Sequence, residues 1–304
     1  MFGVINVYKP KGLTSHDVVG IIRKILKIKQ VGHAGTLDPF AQGVLPICLG
    51  KATRLIDYFD DDKEYIATVK FGSATDTYDL EGKITQTSDK KISEQDIKSA
   101  LVNFTGEISQ LPPIYSAIKV NGKKLYEYAR EGKTVNIEPR KVTVHKIELI
   151  SFESETQIAK LFVKCSKGTY IRSIVNDLGV NLECFGHLTE LIRTQAGKFR
   201  VEDTVQLPIK INESSQNEYS KKYTLLDNAE SVIINAVKSP IETVSLPVIE
   251  VNANEYERIS HGNSIKIQTE KIKSGDFLIL VYNSHVVAVG QYEKDEIKVK
   301  KVLV

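Results

Sequence analysis

The chain has 304 residues, which is enough for about two domains with a core each. Its 41% hydrophobic and 26% charged residues are typical of an ordinary soluble protein, no apolar run approaches the ~18 residues of a membrane span, and the N-terminus lacks a signal-peptide pattern. Cys48, Cys165 and Cys184 lie far apart without the paired spacing of a zinc site, which predicts buried thiols, a reducing cytoplasm and no metal.

The net charge of +3 is too small to identify a partner, but the charges are unevenly distributed. Residues 1–56 contain eight Lys or Arg and two acids, and residues 117–146 contain eight Lys or Arg and three acids. Tyr115, Tyr126 and Tyr128 lie in or beside the second stretch. Cations with aromatic rings between them suit phosphate contacts and base stacking, although solvated helix faces carry the same pattern.

In chain order, the first elements are a strand at 2–8, stopped by Lys-Pro-Lys-Gly, and a helix for which Thr14 or Ser15 is the candidate N-cap. The later predicted elements are a half-buried strand at 63–72, a helix opened by the capping box at 93–96 and reaching about 104, a short helix at 123–131, antiparallel strands at 142–153 and 157–165, and a helix at 167–179 ended by Gly179.

The last hundred residues form two segments that differ in composition and pattern from the preceding chain. Residues 203–245 are polar and lightly patterned, which predicts a connecting region and not a core. After Pro247, the segments SIKIQ, DFLILVY, HVVAVGQY and IKVKKVLV alternate, and Asn283-Ser284 fits a hairpin turn. We therefore expect a small all-β module over 247–304.

The stretch around which we expect the chain to be organised is residues 31–54. Its four glycines and two prolines prevent an uninterrupted helix or strand in the first half. Asp38 is its one carboxylate and lies directly before Pro39 in basic surroundings. This is the pattern of a positioned catalytic carboxylate beside a polyanionic substrate, but Asp-Pro is also ordinary turn chemistry.

Six stretches together are similar to one known family. They are KPKGLTSHDVV at 9–19, GHAGTLDPFAQGVLPICLGKATR at 32–54, EYIATVKFGSATDTYDLEG at 64–82, LPPIYSAIKVNGKKLYEYAREG at 111–132, CSKGTYIRSIVNDLG at 165–179 and HLTELIRTQAGKF at 187–199. The family that they resemble is the bacterial tRNA pseudouridine-55 synthases, the TruB family, and the stretches follow its order. Ile192 stands where that family often carries an arginine, before its second arginine, Arg193.

The resemblance implies a reaction in which a uracil is detached from its sugar, rotated and reattached through carbon. Because reactant and product are isomers, no cofactor is expected. Asp38 is implied as the nucleophile, since a carboxylate is already ionised at pH 7. Arg172 is implied beside it, where a fixed positive charge would keep the carboxylate ionised and oriented. Tyr65 is implied to stack on the flipped-out uracil, worth ~1–3 kcal/mol.

Five further positions are implied to bind the substrate. His33 would fill the space that the flipped base leaves, Tyr170 and Leu191 would line the pocket, Lys9 would contact a phosphate, and Asp76 would order the edge of the site or contact RNA. Packing is the alternative for the first three, and an Asx turn for Asp76. Further candidates for phosphate contacts are Lys11, Lys51, Arg54, Lys119, Lys123 and Lys124.

The implied fold is α+β. A pseudouridine synthase catalytic domain over 1–244 has a mixed, largely antiparallel sheet and an RNA-binding insert near 105–145, and a PUA-like, all-β RNA-binding domain covers 247–304. The close spacing of the strands at 142–153 and 157–165 agrees with antiparallel pairing, because a parallel crossover needs a dozen or more residues. The expected partner is the T-arm stem-loop of tRNA, with no membrane, no obligate protein partner and a monomeric, cytoplasmic chain.

Three functions are compatible with these patterns. The first is isomerisation of the T-loop uridine at tRNA position 55. The second is an RNA-folding module whose contribution needs no chemistry, which the basic stretches and the β-rich C-terminus would serve equally well. The third is an RNA-guided ribosomal pseudouridine synthase, against which the lack of long basic tails and the bacterial-type stretch at 111–132 argue.

Overall fold

The computed structural model describes residues 1–212, 223–267, 269 and 272–304. The strands of the described residues are β1 (Gly3–Lys9), β2 (Val31–His33), β3 (Gln42–Leu49), β4 (Lys63–Phe71), β5 (Ser73–Thr75), β6 (Ile84–Thr87), β7 (Gly106–Gln110), β8 (Lys119–Val120), β9 (Lys123–Lys124), β10 (Arg140–Glu153), β11 (Ile158–Cys165), β12 (Gly186–Ala196), β13 (Phe199–Arg200), β14 (Val205–Gln206), β15 (Ile209–Ile211), β16 (Tyr223–Leu225), β17 (Val248–Glu250), β18 (Ile265–Lys266), β19 (Phe277–Tyr282), β20 (His285–Glu293) and β21 (Glu296–Val302).

The α-helices of the same residues are α1 (Ser15–Leu26), α2 (Glu94–Leu101), α3 (Leu125–Arg130), α4 (Ile171–Asn181), α5 (Ala229–Asn235), α6 (Pro240–Thr243) and α7 (Ala253–Ser260). Shorter 3₁₀ segments cover Gly50–Tyr58, Val102–Phe104 and Val201–Asp203. The chain forms two compact units: unit 1 holds 1–39, 43–60 and 197–304, and unit 2 holds 40–42 and 61–196. The domain boundary near 244–247 stays a prediction.

In unit 1, β1 pairs antiparallel with β3 and parallel with β14, while β2 pairs antiparallel with β3. Helix α1 begins where the sequence predicts. The Thr14 hydroxyl accepts from the Asp17 N–H at 3.0 Å, and the Asp17 carboxylate accepts from the Thr14 N–H at 2.8 Å, which completes a capping box. Val18 and Ile22 of α1 belong to one buried cluster with Ile47 of β3, which holds α1 on the strands.

The segment 203–245, predicted to be a connecting region, contributes side chains to this core. The expectation that it is not part of a core is therefore wrong. Leu207, Ala229 and Ile233 are buried in the same cluster as α1. The polar stretch at 212–222 accounts for the wrong expectation, because the apolar residues of 223–237, which include Val232, Ile233 and Ile234, follow it. Residues 213–222 lie outside the described part of the chain.

The C-terminal part of unit 1 has its own five-stranded sheet, in the order β17-β19-β20-β21-β18, over its own cluster of buried side chains. Asn283 and Ser284 have φ angles of 47° and 63°, as the turn of a tight hairpin requires, which confirms the predicted turn between β19 and β20. Helix α7 beside this sheet is a two-turn addition that the sequence pattern does not predict. Gln268, at the end of the first predicted strand, lies outside the described residues.

Unit 2 is built on an antiparallel sheet in the order β12-β4-β11-β10-β7. The alternation at 63–72 and the pair of strands at 142–153 and 157–165 appear as β4, β10 and β11, as predicted. The capping box at Ser93 and Asp96 opens α2, also as predicted, with the Asp96 N–H donating to the Ser93 hydroxyl at 3.2 Å. The α+β class with a mixed, largely antiparallel sheet is confirmed.

Helix α4 differs from its prediction at both ends. Gly168 has a φ of +82° and belongs to a turn, so the helix begins only at Ile171. Gly179 does not end the helix, which continues to Asn181. A Cβ at Gly179 would collide with the backbone of Phe185 and Gly186, so this glycine permits close packing against the chain that returns to β12.

The three cysteines are free and buried, as predicted. Burial raises the pKa of the Cys48 thiol to about 12 and the pKa values of Cys165 and Cys184 to about 11, because an apolar environment disfavours a thiolate. Across residues 1–212, 223–267, 269 and 272–304, no helix has both the length and the apolarity that a membrane crossing demands.

Candidate functional site

The loop that carries Asp38, between β2 and β3, is fastened on both sides of that residue. The buried Ser15 hydroxyl, at the start of α1, accepts from the Leu37 N–H at 2.8 Å and donates to the Leu37 carbonyl at 3.0 Å. The Pro39 carbonyl accepts from the Gly12 N–H at 2.8 Å. Asp38 itself is half-buried. The backbone is therefore fixed one residue before and one residue after the carboxylate, which fixes where the side chain starts.

Lys9 supports the same loop from inside. It is fully buried, and its ammonium donates to the carbonyls of Leu13 at 2.5 Å, Pro10 at 2.9 Å and Pro39 at 3.2 Å. A phosphate contact needs an accessible ammonium, so this position does not support the predicted contact between Lys9 and RNA. Its location favours bracing the Asp38 loop, since a buried cation is tolerated only where carbonyl or carboxylate oxygens solvate it.

His33 is the last residue of β2 and is half-buried. Its register partner in the antiparallel pair with β3 is Ile47. The histidine is five residues before Asp38 in the sequence, where β2 ends and the Asp38 loop begins. Its role beside a flipped base stays a prediction.

In unit 2, Tyr65 and Leu191 lie on one face of the sheet. Tyr65 of β4 is opposite Arg193 of β12, and Ala67 is opposite Leu191, without a bulge between these pairs. Residues two apart on a strand share a face, so Tyr65 and Leu191 are diagonal neighbours on it. Their side chains are 7% and 5% exposed, so both belong to a buried face of the sheet.

Arg172 lies in the first turn of α4 with its guanidinium held by backbone carbonyls. It donates to the Thr77 carbonyl at 3.1 Å and to the Tyr115 carbonyl at 2.9 Å, and it is 3.5 Å from the carboxylate of Asp79. Arg172 and Asp79 are both buried at 4% exposure. The turn at 75–82 and residue 115 therefore orient a buried cation, which is the arrangement that a site for an anionic group requires.

Asp79 is oriented by its own turn. Its carboxylate accepts from the Thr77 hydroxyl at 2.6 Å and from the Glu81 N–H at 3.0 Å, and the Thr75 hydroxyl donates to its carbonyl at 2.8 Å. From the sequence, Asp79, like Asp76, is expected to order the edge of the site or to contact RNA, with an Asx turn as the alternative. Its contact with Arg172 joins residues ninety-odd positions apart, and no local pattern could reveal it.

Asp76 is exposed and accepts from the Lys83 N–H at 2.8 Å across the same turn. A Cβ on Gly82 would collide with the Thr77 hydroxyl and approach the Asp76 carboxylate to 2.5 Å, so the turn closes too tightly for any other residue. The bond to the Lys83 N–H spans seven residues and an Asx turn spans two, so Asp76 does not form the Asx turn; Asp79, which accepts from the Glu81 N–H, has that spacing. The contact of Asp76 with RNA stays a prediction.

Tyr170 is half-buried directly before α4. Its N–H donates to the Gln110 side-chain oxygen at 2.8 Å, and its carbonyl accepts from the Gln110 amide nitrogen at 3.0 Å. Gln110, 2% exposed at the end of β7, is not predicted from the sequence, because sixty positions separate the partners.

Unit 2 also places positive charge beside Tyr65. Arg193, its register partner, is 1% exposed. Burial lowers the pKa of Lys63, and the nearby charge of Arg193 lowers it further. Two cations therefore lie at this end of β4 and β12, where the sequence stretch 187–199 predicted only the arginine.

The candidates for phosphate contacts are divided between contacts within the protein and exposed positions. Lys51 donates to the Val304 carbonyl, and Arg54 donates to the Val302 carbonyl at 2.6 Å. Lys123 pairs with Glu131 and lies 5.1 Å from the Tyr128 ring centre, while Lys124 lies 5.4 Å from the Tyr126 ring centre. Lys11 and Lys119 are exposed. The expected interleaving of cations and tyrosines in the insert is thus a set of cation–π contacts.

The structure distributes the predicted residues over its two units. Unit 1 carries Lys9, His33 and Asp38, and unit 2 carries Tyr65, Asp76, Tyr170, Arg172 and Leu191. Within the described residues, no group of three or more His, Cys, Asp or Glu side chains is arranged to hold a metal ion.

The chain is similar to known proteins over nearly its whole length. Residues 23–171 match the profile described as "TruB family pseudouridylate synthase (N terminal domain)". The chain is 41% identical to "tRNA pseudouridine synthase B" of Caldanaerobacter subterraneus, over 99% of this chain and 98% of that protein. It is 42% identical to the protein of the same name from Clostridium novyi, over 90% of this chain and 99% of that protein.

Solved structures with a similar fold come from larger assemblies. "Crystal Structure of a Cbf5-Nop10-Gar1 Complex" contains a chain with a TM-score of 0.72 and 28% identity, matched over 100% of this chain and 85% of that chain. "Structure of H/ACA RNP bound to a substrate RNA containing 2'-deoxyuridine" gives a TM-score of 0.71 and 26% identity over the same shares. The chain thus resembles proteins named for tRNA and, at lower identity, chains of an H/ACA RNP and of a Cbf5-Nop10-Gar1 complex.

Proposed function

Because the chain belongs to the TruB family of pseudouridylate synthases, we propose that it converts the uridine at position 55, in the T loop of tRNA, into pseudouridine, with Asp38 as the nucleophile. The chain is an isomerase, and its relatives are named for the modification of tRNA. The observation that carries the proposal is the loop around Asp38, which hydrogen bonds to Leu37 and Pro39 hold on both sides.

The reaction needs a nucleophile, a pocket for an extruded base and control of two protons. The glycosidic N1–C1′ bond breaks, N1 gains a proton, a C5–C1′ bond forms and C5 loses its proton. A carboxylate is ionised at pH 7 and needs no general base to become a nucleophile. We assign this role to Asp38, whose backbone neighbours are fixed, so that little motion precedes attack.

We assign the buried guanidinium of Arg172 the task of stabilising negative charge at the nucleophile. It is held by the carbonyls of Thr77 and Tyr115 and the carboxylate of Asp79, and a cation pre-oriented in this way does not reorganise during the reaction. We propose that Asp79 orients this arginine.

For Tyr65 we propose stacking on the flipped uracil, with Leu191 and Tyr170 as neighbouring walls of the pocket. A base on an aromatic face gains ~1–3 kcal/mol, which offsets part of the cost of leaving the stack. His33 would occupy the space that the base vacates.

A tRNA substrate is supported by sequence identity. The relatives named for tRNA are 41% and 42% identical to this chain, and the chains in the H/ACA RNP and the Cbf5-Nop10-Gar1 complex are 26% and 28% identical. We propose that the protein acts in the cytoplasm as a monomer without an obligate protein partner. Sedimentation equilibrium would then give a mass near 34.0 kDa, and a stable dimer would contradict this part of the proposal.

A second role in tRNA folding is favoured by the basic and aromatic insert, where cations already lie over tyrosine rings. Prying open the T arm is a step of base flipping, so the two roles are compatible. An Asp38→Asn variant that still accelerates folding of unmodified tRNA would support the second role. Loss of this effect in Asp38→Asn would contradict a tRNA-folding role that is independent of catalysis.

The experiment that tests the main proposal uses a T-arm RNA with tritium at C5 of the target uracil. Tritium leaves only if C5 becomes the glycosidic atom, so its release reports this reaction. Release by the wild type is the expected result, and binding without release would contradict the assigned reaction.

A further inference from the structure

The first turn of α4 fastens the insert, which we define as residues 111–139 between β7 and β10. The chain at the N-terminal end of the insert contacts the start of α4 at three places. Gln110 pairs with Tyr170, the Ser173 hydroxyl donates to the Leu111 carbonyl at 2.8 Å, and Arg172 donates to the Tyr115 carbonyl at 2.9 Å. We call this set of contacts the insert junction. Its C-terminal end is fixed as well, because Arg140 of β10 is the register partner of Gln110.

The Gln110 side-chain amide makes the two hydrogen bonds with Tyr170 that the backbone of a paired strand residue would make. Its oxygen accepts from the Tyr170 N–H at 2.8 Å and its nitrogen donates to the Tyr170 carbonyl at 3.0 Å, so it satisfies both backbone groups of one residue. Gln110 is 2% exposed, and Tyr170 directly precedes α4. The backbone that enters α4, two residues before Arg172, is thereby fixed.

Ser173 completes the junction from inside the helix. It is 1% exposed, and its hydroxyl reaches the first residue of the insert. Arg172, between these two anchors, uses one arm of its guanidinium to hold the carbonyl of Tyr115, also in the insert. A displacement at the insert junction therefore moves the Tyr115 carbonyl, which accepts a hydrogen bond from Arg172.

We propose that Gln110 and Ser173 are positioning residues, which couple the seating of the insert on RNA to the orientation of the Arg172 guanidinium. The proposal rests on the proposed function, because it assigns a purpose to the contact between an RNA-binding insert and a catalytic arginine. An insert held in place by RNA keeps the Tyr115 carbonyl against Arg172, and a loosened junction lets the guanidinium rotate away. A displacement of about 1 Å at a catalytic group lowers the rate about 100-fold.

The experiment measures single-turnover tritium release with enzyme in excess over labelled T-arm RNA. Gln110→Met keeps the side-chain volume but removes both bonds to Tyr170, and Ser173→Ala removes the bond to Leu111. We expect each variant to lower the rate constant about 10- to 100-fold. RNA affinity, measured separately by filter binding, should change less than threefold, because the cations of the insert are intact.

Gln157→Met is the matched control. Gln157 is buried at 4% exposure and makes the same paired contacts with the backbone of one distant residue, Ile92, at 3.0 Å and 3.3 Å. It is not part of the insert junction, so its loss should lower the thermal midpoint without changing the rate constant. A purely structural role of Gln110 would lower the thermal midpoint and, at saturating enzyme, leave the rate constant unchanged.

The outcomes separate the two proposals. Wild-type release together with unchanged rate constants in Gln110→Met and Ser173→Ala would overturn the coupling and leave the proposed function standing. Equal loss of rate in Gln157→Met would also overturn it, because any buried glutamine would then serve. An absence of release by the wild type would overturn the proposed function and the coupling with it.

Discussion

Removing the Ser15 hydroxyl tests whether the fastened loop positions Asp38. Ser15 is 2% exposed and bonds to both backbone groups of Leu37, so Ser15→Ala leaves a buried N–H and a buried carbonyl without this partner. A buried polar group without a partner costs about 1–3 kcal/mol. We expect the free energy of unfolding to fall by about this amount, with the smaller value applying if the loop relaxes and lets water reach Leu37.

The same relaxation should be visible in the chemistry. Asp38 follows Leu37 directly, so movement of Leu37 displaces the start of the carboxylate side chain. For a shift of about 1 Å the loss of rate reaches about 100-fold, and we expect the rate constant of single-turnover tritium release to fall about 10- to 100-fold. RNA affinity should stay close to that of the wild type, because the basic residues are unchanged.

Ser93→Ala is the matched control for this variant. Ser93 caps α2, where its hydroxyl accepts from the Asp96 N–H at 3.2 Å, and its loss should cost about 1 kcal/mol of stability. Because α2 does not carry the Asp38 loop, the rate constant should not change. If Ser15→Ala destabilises the protein but releases tritium at the rate of Ser93→Ala, the hydrogen bonds to Leu37 do not position the nucleophile.

Other consequences of the structure are also open to measurement. Gly82→Ala should lower the rate of tritium release at least about tenfold, because the added methyl forces apart the turn that orients Asp79 and Arg172. Gly20→Ala, in open space on α1, should instead raise the free energy of unfolding by about 0.5–1 kcal/mol at an unchanged rate, and calorimetry with the release assay checks both. A thiol reagent at pH 8 should label none of the three cysteines quickly in the native protein and all three in guanidinium, because burial raises their pKa values to about 11 or 12; fast labelling of the native protein would contradict their burial.

Local patterns in the sequence predict the elements whose causes are local. The capping boxes at Thr14 and Ser93 join residues three apart, and the Asn283-Ser284 turn needs two adjacent residues in the left-handed region. In each case the physical cause lies within a few positions of its effect, and the predicted element was confirmed.

Local patterns are insufficient where the cause lies elsewhere in the chain. Gly179 has the local pattern of a helix end, but it is required by the backbone of Phe185 and Gly186, which pack against α4. Lys9 is one of several lysines in a basic stretch, and only the fold shows that carbonyls surround its ammonium. Neither fact could be obtained without the tertiary structure.

The candidate site shows the same division. Asp38 could be singled out from its loop, and the resemblance to a family added Tyr65 and Arg172. The groups that hold these residues, among them Ser15, Gln110 and Asp79, act over separations of about 20 to 90 positions and carry no motif of their own.

The most direct test of the account compares the wild type with Asp38→Asn on T-arm RNA labelled with tritium at C5. Asparagine preserves the size of the side chain and the fastened loop but removes the charge and the nucleophile. We predict full release by the wild type and none above background by Asp38→Asn, with similar RNA affinity for both. Release by Asp38→Asn at the wild-type rate would contradict the assignment of Asp38 as the nucleophile.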